Sequence, residues 1–369
     1  MRDFSRIIRG VAPRGVADHG PDIRPLVALG AVTFTLAYCL SARRSTERGG
    51  ADGGSIVSRD RRRPLKVGVE LPIAVDKGRF GTPRWPDVSL MARRAEELGF
   101  DSVWIEDHLL FRHEGQRDQG VWEGWAVIAA VAAVTSRVEI GPLVSCMSFR
   151  NPAYLAKLAD TIEDISGGRL ILGLGAGWHE SEYRAFGFPF DHRVSRFEEG
   201  LRIVHGLLRH GKVDFVGQYY EARECVLEPR GPRPGGPPIL IGSTGERMLG
   251  LLARYGDLWN VYFTPTKNRP SGIAPLRERV DTACRQAGRD PATIGRTAAV
   301  FVDMAPGRRA SPPLPPHWTF EPLAGSPERL AEELRAYARE GISHVQLWLE
   351  PNTLESIEAF APVLELLDR

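Results

Sequence analysis

Cysteine is scarce: four in 369 residues, at Cys39, Cys146, Cys225 and Cys284, with no Cys-x-x-Cys pair. That excludes a zinc ribbon and offers no disulfide framework, so a reducing cytosol is the default compartment and the chain is expected to be cytoplasmic. Charge of one sign is missing too. The net charge is +2, so no strong field favours nucleic acid or an acidic partner. The excess of arginine over lysine reads as coding bias rather than a binding patch. What is present is an ordinary globular composition, 43% hydrophobic and 25% charged, in a chain long enough for one large α/β domain or two smaller ones.

Residues 1–63 differ from the rest. They are rich in arginine, glycine, serine and aspartate, a composition that builds no core, except for the uncharged apolar stretch 25–42. That stretch sits near the ~18-residue lower edge for a membrane span and has basic flanks. The reading preferred here is a disordered or spurious extension, with the functional domain covering 64–369. A membrane anchor through 25–42 is the minority alternative, and a cleaved secretory signal is the least favoured.

From residue 65 onward, short apolar runs alternate with amphipathic stretches. The pattern predicts strands at 66–71, 102–105, 138–144, 170–174, 239–241, 258–261, 297–302 and 344–349. Helices follow at 85–99, 122–135, 152–165, 246–255, 273–288, 327–340 and 354–367. Eight such units predict an α/β fold, a (β/α)8 TIM barrel with an insertion after strand 4. The insertion, 187–233, reads as a helix at 193–208 and a hairpin at 213–216 and 219–221. Polar loops at 80–84 and 111–120, and a proline-rich one at 305–322, would join it on the C-terminal face, where such barrels place their sites.

The chain is organised around Arg169-Leu-Ile-Leu-Gly-Leu-Gly-Ala-Gly-Trp-His-Glu-Ser-Glu-Tyr183. A buried strand runs into glycines, then into Trp178, His179 and a helix start. Such a junction accommodates an anionic or flat ligand, or it is a tight connection without one. Asp107 and His108 end strand 2, where an imidazole can donate a hydrogen bond or act as acid or base; a loop cap is the plainer reading. Ser145 and Cys146 end strand 3, and Cys146 reads as a packed residue rather than a nucleophile. Gly242, Ser243, Thr244, Gly245 and Arg247 follow strand 5 as a phosphate cradle or a simple capped turn. Several patterns fail on inspection. Gly206-x4-Gly211-Lys212 follows a helix and has Val213 where a P-loop needs Ser or Thr. Gly173-x-Gly175 lacks the third dinucleotide-binding glycine, and His179-Glu180 lacks the second zincin histidine. No metal ligand set is assigned, although Asp107, His108, His113 and His179 keep a metal-dependent barrel hydrolase open as an alternative of another class.

Taken together, the stretches Glu97-Leu-Gly-Phe-Asp-Ser-Val-Trp-Ile-Glu-Asp-His108, Arg150-Asn-Pro152, 164–183, 242–247 and Arg254-Tyr-Gly-Asp-Leu-Trp-Asn260 resemble the bacterial luciferase-like family of flavin- and deazaflavin-dependent oxidoreductases. The resemblance covers about 65–369. It implies a ring-shaped cofactor in the barrel mouth, its tail phosphate held by the 242–247 loop and by backbone near Ala176 and Gly177. It also implies a non-proline cis peptide in the strand-3 bulge matching 144–147. Asp107 and His108 would lie beside the ring, with His108 the proton-transfer candidate, and Trp178 would line the same pocket. The Gly-Trp form of the motif and the Asp-His pair look more like the deazaflavin branch, so the expected cofactor is coenzyme F420, acting by hydride transfer on a small organic substrate. FMN, in an oxygen-using monooxygenase, is the alternative. Dimers are common among family members.

Overall fold

The computed structural model describes residues 63–75, 81–113, 115, 117–305 and 319–369. The expectations for 1–62, for Phe80 and for most of the 305–322 loop fall outside the described residues. Among the described residues no helix is long and apolar enough to cross a membrane.

Eight parallel strands form the centre: Lys66–Glu70 (β1), Ser102–Ile105 (β2), Glu139–Pro142 (β3), Leu172–Gly175 (β4), Ile239–Gly242 (β5), Leu258–Val261 (β6), Gly295–Asp303 (β7) and His344–Glu350 (β8). Their hydrogen-bonded order is β3-β2-β1-β8-β7-β6-β5-β4. The ring closes twice between β3 and β4. Ile140 bridges Leu170, and the chain beyond β3 resumes as Ser145–Cys146, which pairs with Leu174 and Gly175. This is the expected barrel. Strand 3 stops at Pro142 rather than reaching 144, because the chain steps sideways there and pairs next with β4; the Leu143–Val144 peptide in this step is cis. That cis bond lies at the leading edge of the bulge where the family resemblance put one.

Around the barrel run Trp85–Leu98 (α1), Gly124–Val134 (α2), Pro152–Ile165 (α3), Glu180–Phe186 (α4), Arg193–His210 (α5), Glu246–Tyr255 (α6), Ile273–Gln286 (α7), Pro327–Arg339 (α8) and Leu354–Leu367 (α9). Local chemistry sets their ends. Gly99 stops α1 at φ 99°, a conformation that costs glycine little. Glu123 accepts from the Ala126 amide and so starts α2 two residues later than the alanine-rich pattern suggests. Asn151 Oδ1 accepts from the Ala153 and Tyr154 amides, and Pro152 supplies the first turn of α3. Beyond α4, the insertion contains α5 and a hairpin of Lys212–Val216 with Glu221–Val226. Its second strand begins at Glu221 rather than Tyr219. The Glu199 carboxylate takes the amides of Gln218, Tyr219 and Tyr220, so those residues form the turn.

Inside the barrel the side chains stack in layers. At the bottom the Ser102 hydroxyl meets His344 Nε2 at 2.7 Å and accepts from Trp104 Nε1 at 2.7 Å. Burial first, and Lys66 second, push His344 down to about 3, so it stays neutral. Above it Trp104 packs with Ile171 and Leu240 and fills the centre. Glycines make room for it. A Cβ on Gly68 would lie 2.1 Å from Ser102 Oγ and 2.6 Å from Trp104 Nε1. One on Gly173 would lie 2.1 Å from the Pro142 carbonyl, so this glycine of the central motif serves β3 rather than a ligand.

Gly68→Ala should therefore destabilise the protein by overpacking, on the order of 1–3 kcal/mol, although alanine is otherwise the milder residue in a strand. Urea denaturation measures it; an unchanged midpoint would show that the Trp104 layer yields.

Candidate functional site

The C-terminal ends of the strands open into a cavity of about 1220 Å³. Its wall includes Asp107, His108, Cys146, Ala176, Gly177, Trp178, Gly242, Ser243, Thr244 and Gly245. Two residues singled out in the sequence stand elsewhere. Ser145 is fully buried behind the wall, and its hydroxyl is spent between Trp125 Nε1 (3.0 Å) and Asp107 (2.8 Å). Arg247 bonds Ser195 (3.0 Å) and Glu198 (2.7 Å) on α5.

Asp107 is a hub. One oxygen accepts from the Ser145 hydroxyl, the Cys146 amide (2.9 Å) and Arg150 Nη1 (2.8 Å); the other accepts from Arg150 Nη2 (3.0 Å). Arg150 reaches on to Glu123 at the start of α2. Bidentate pairing of this kind compensates a carboxylate that would otherwise be costly to bury. Asp107 thereby ties the end of β2 to the β3 bulge and to two helix starts.

His108 sits one residue further along the chain. Its Nδ1 donates to Glu182 Oε1 (2.9 Å), and Glu182 Oε2 accepts the Leu109 amide (3.0 Å). Burial alone would lower the imidazole, but the Glu182 hydrogen bond and the charges of Glu106, Glu182 and Asp107 outweigh it and leave it raised. Phe111 lies 4.4 Å and Trp178 5.7 Å from its ring, centroid to centroid. His179, next to Trp178, behaves oppositely. Burial lowers it, and its Nε2 accepts the Arg112 amide (3.1 Å), so it is a neutral loop anchor. Cys146 is pushed up to about 12, mainly by burial, and meets the Tyr183 hydroxyl at 2.8 Å; it is no thiolate nucleophile.

The glycines shape a cradle. Gly177 has φ 76°, and a Cβ there would lie 1.8 Å from the Tyr183 hydroxyl. One on Gly175 would lie 2.7 Å from Val144. Arg193, at the start of α5, donates to the Gly177 carbonyl at 2.6 Å and fixes this turn. Across the mouth, Gly242–Gly245 leads into the N-terminus of α6, held by Trp259 Nε1 donating to the Ser243 carbonyl at 2.8 Å. Among the described residues no group of three or more His, Cys, Asp or Glu is placed to hold a metal ion. Sequence reasoning gave no role in the site to Arg150, Glu182 or Arg193, the partners that set the geometry, nor to Glu70, Glu106 and Tyr262, which line the cavity floor. A charge inside the apolar run of β1 was the available signal for Glu70.

Two outcomes follow from the buried pairs. Arg150→Ala should cost about 3–5 kcal/mol in urea denaturation, because it strands Asp107, whereas Asp107→Leu combined with Arg150→Met should restore most of that loss. His108 should titrate above 6.5 by NMR and fall in Glu182→Gln. Because its folded pKa is raised, the pair's stability is fully present below the unfolded value. It is lost as pH rises through the folded one, so the gap between wild type and Glu182→Gln should narrow as pH rises above about 6.5.

The comparisons with known proteins agree with this architecture. The family model of luciferase-like monooxygenase matches residues 65–310. An F420-dependent glucose-6-phosphate dehydrogenase of Amycolatopsis mediterranei is 37% identical over 200 residues, 52% of this chain and 56% of that protein. The pyrimidine monooxygenase RutA of Escherichia coli is 29% identical over 242 residues, 61% of each. The chain thus spans somewhat over half the length of these relatives. A solved F420-dependent secondary alcohol dehydrogenase, in complex with an F420-acetone adduct, shares the fold at a TM-score of 0.69 and 21% identity. That match covers 82% of this chain and 99% of that one. With its family model spanning the barrel from β1 through β7, this chain belongs to the luciferase-like monooxygenase family.

Proposed function

We propose that the chain is a coenzyme F420-dependent oxidoreductase that exchanges a hydride with a small organic substrate, acting in the cytoplasm. The observation that carries the reading is a single cavity lined both by the polarised His108–Glu182 pair and by the backbone of two glycine-bearing turns, Gly175–Gly177 and Gly242–Gly245. The relatedness to an F420-dependent dehydrogenase supports it. The cradle fits a flat ring with a phosphorylated tail. Ala176, Gly177 and the amides of Gly242–Gly245 at the α6 N-terminus would hold the tail. Trp178 would line the ring's pocket. When bound, the deazaflavin supplies the two-electron chemistry.

The chain's own residues orient and move protons. Glu182 fixes the His108 tautomer with the proton on Nδ1 and, by raising the imidazole, keeps a protonated form available near neutral pH. A substrate oxygen at His108 then gains a proton donor, and in the reverse direction the neutral ring accepts that proton. Asp107 acts through Arg150 and the β3 bulge as a positioning residue. Phe111 and Trp178 pack on the imidazole and limit water at that atom.

FMN with oxygen is the second reading, favoured by the similarity to the pyrimidine monooxygenase. Fluorescence titration of the protein with F420 and with FMN separates them. F420 should bind at micromolar affinity or better, and FMN at least tenfold more weakly; the reverse selects the oxygen-using reading, and failure of both removes the oxidoreductase reading. His108→Ala should reduce kcat by about 10²–10⁴ while leaving F420 affinity within threefold.

A further inference from the structure

The floor of the cavity carries two carboxylates, Glu70 and Glu106, that the chemistry above gives no contact with substrate, although the Glu106 charge helps to raise His108. In the parallel register of β1 and β2, Gly68 pairs with Ser102 and Glu70 with Trp104. Gly68, Ser102 and Trp104 all face the barrel interior, since a Cβ on Gly68 would collide with both of the others. Two residues further along β1, Glu70 therefore points the same way, into the space above the Trp104 layer, and Glu106, which follows directly on β2, lies close enough to act on its charge. Both line the cavity, and both are more than nine-tenths buried, at 6% and 8% exposure. Neither carboxylate has a hydrogen-bond or ion-pair partner among the described residues, unlike Asp107 and Glu182 beside them. Burial first, and then Glu106, hold Glu70 well above the usual carboxylate range; burial first holds Glu106 above it too, with Glu182 and Asp107 adding to the shift and His108 pulling it back in part. A buried carboxylate pair without a cation is costly, and natural structures seldom leave one unless something else neutralises it.

The rest of the wall points the same way. Among its described lining residues are seven carboxylates and a single guanidinium, that of Arg193, which is turned to the Gly177 carbonyl. Tyr262, Phe301 and Trp348 add aromatic rings to the same floor. Carboxylates set among aromatic rings are the surroundings that an ammonium group prefers, through charge pairing and cation–π attraction together. A phosphorylated or carboxylated substrate meets the opposite: like charge, with the nearby cation Arg247 already tied to Glu198.

Resting on the oxidoreductase reading, we infer that Glu70 and Glu106 form a recognition site for a protonated amine on the substrate, and that this floor disfavours an anionic group in its place. The amine is the handle, held at the barrel floor while another carbon of the substrate exchanges the hydride.

Isothermal titration of the full chain with hexylamine, 1-hexanol, hexanoate and glucose 6-phosphate tests it, with F420 titrated into the same preparations. Hexylamine should bind at least tenfold more tightly than 1-hexanol, and the two anions more weakly still. Glu70→Gln and Glu106→Gln should each lose at least tenfold for hexylamine while keeping the 1-hexanol affinity, and Glu70→Gln should melt no lower than wild type, since glutamine keeps the shape of a carboxyl whose anion burial disfavours. Equal binding of amine and alcohol, preferential binding of either anion, or unchanged amine affinity in both variants would overturn the inference. If F420 binds and amine selectivity is absent, only the substrate class falls. If amine selectivity holds and neither F420 nor FMN binds, the carboxylate site stands and the oxidoreductase reading falls.

Discussion

The site depends first on the contact between Asp107 and Arg150. A carboxylate at the end of β2 is almost fully buried, and the guanidinium that satisfies it comes from the far side of the β3 bulge. Because Asp107 also takes the Ser145 hydroxyl and the Cys146 amide, the pair decides how the chain leaves β3, where it rejoins the sheet on β4, and how α2 and α3 start. His108 follows Asp107 directly in the chain, so its ring inherits that position. The catalytic histidine of the proposed mechanism is therefore placed by a neighbour that touches no substrate.

Much of the barrel was legible because its cues are local. Glycine at 99, asparagine at 151 and proline at 152 mark helix ends by their own backbone preferences, and the apolar runs of β2 and β6 have the length of buried strands. The bounds predicted for α3, α6, α9, β2 and β6 coincide with those found. In the hairpin, where the reading slipped, a distant carboxylate was responsible. Glu199 took the amides that would have started the second hairpin strand, and no local pattern announces such a bond.

The site was legible as a place rather than as a set of contacts. Glycines after β4 and β5 and the Asp-His pair after β2 pointed to one mouth, and ten of the twelve residues chosen line it. Their partners were hidden because they act over distance in sequence: Glu182 serves His108 from 74 residues away and Arg150 serves Asp107 from 43. Glycine is ambiguous in the same way. Gly173 and Gly177 look alike in the motif, yet one yields space to a strand carbonyl and the other to a tyrosine hydroxyl beside the cavity.

The Trp104 layer has a consequence for traffic. With Trp104, Ile171 and Leu240 plugging the barrel beneath the floor, the cavity is a blind vessel whose described walls leave the strand-end mouth as the way in. Whatever reaches the Glu70–Glu106 floor must pass the same door as whatever lies in the glycine cradle above it. Two ligands sharing one entrance obey a last-in, first-out order, so the tenant of the floor cannot be replaced while a tenant of the doorway stays put unless the two lie side by side. Kinetically, such an enzyme is governed by queueing at its threshold, and a layer of side chains that touches neither ligand sets the rule.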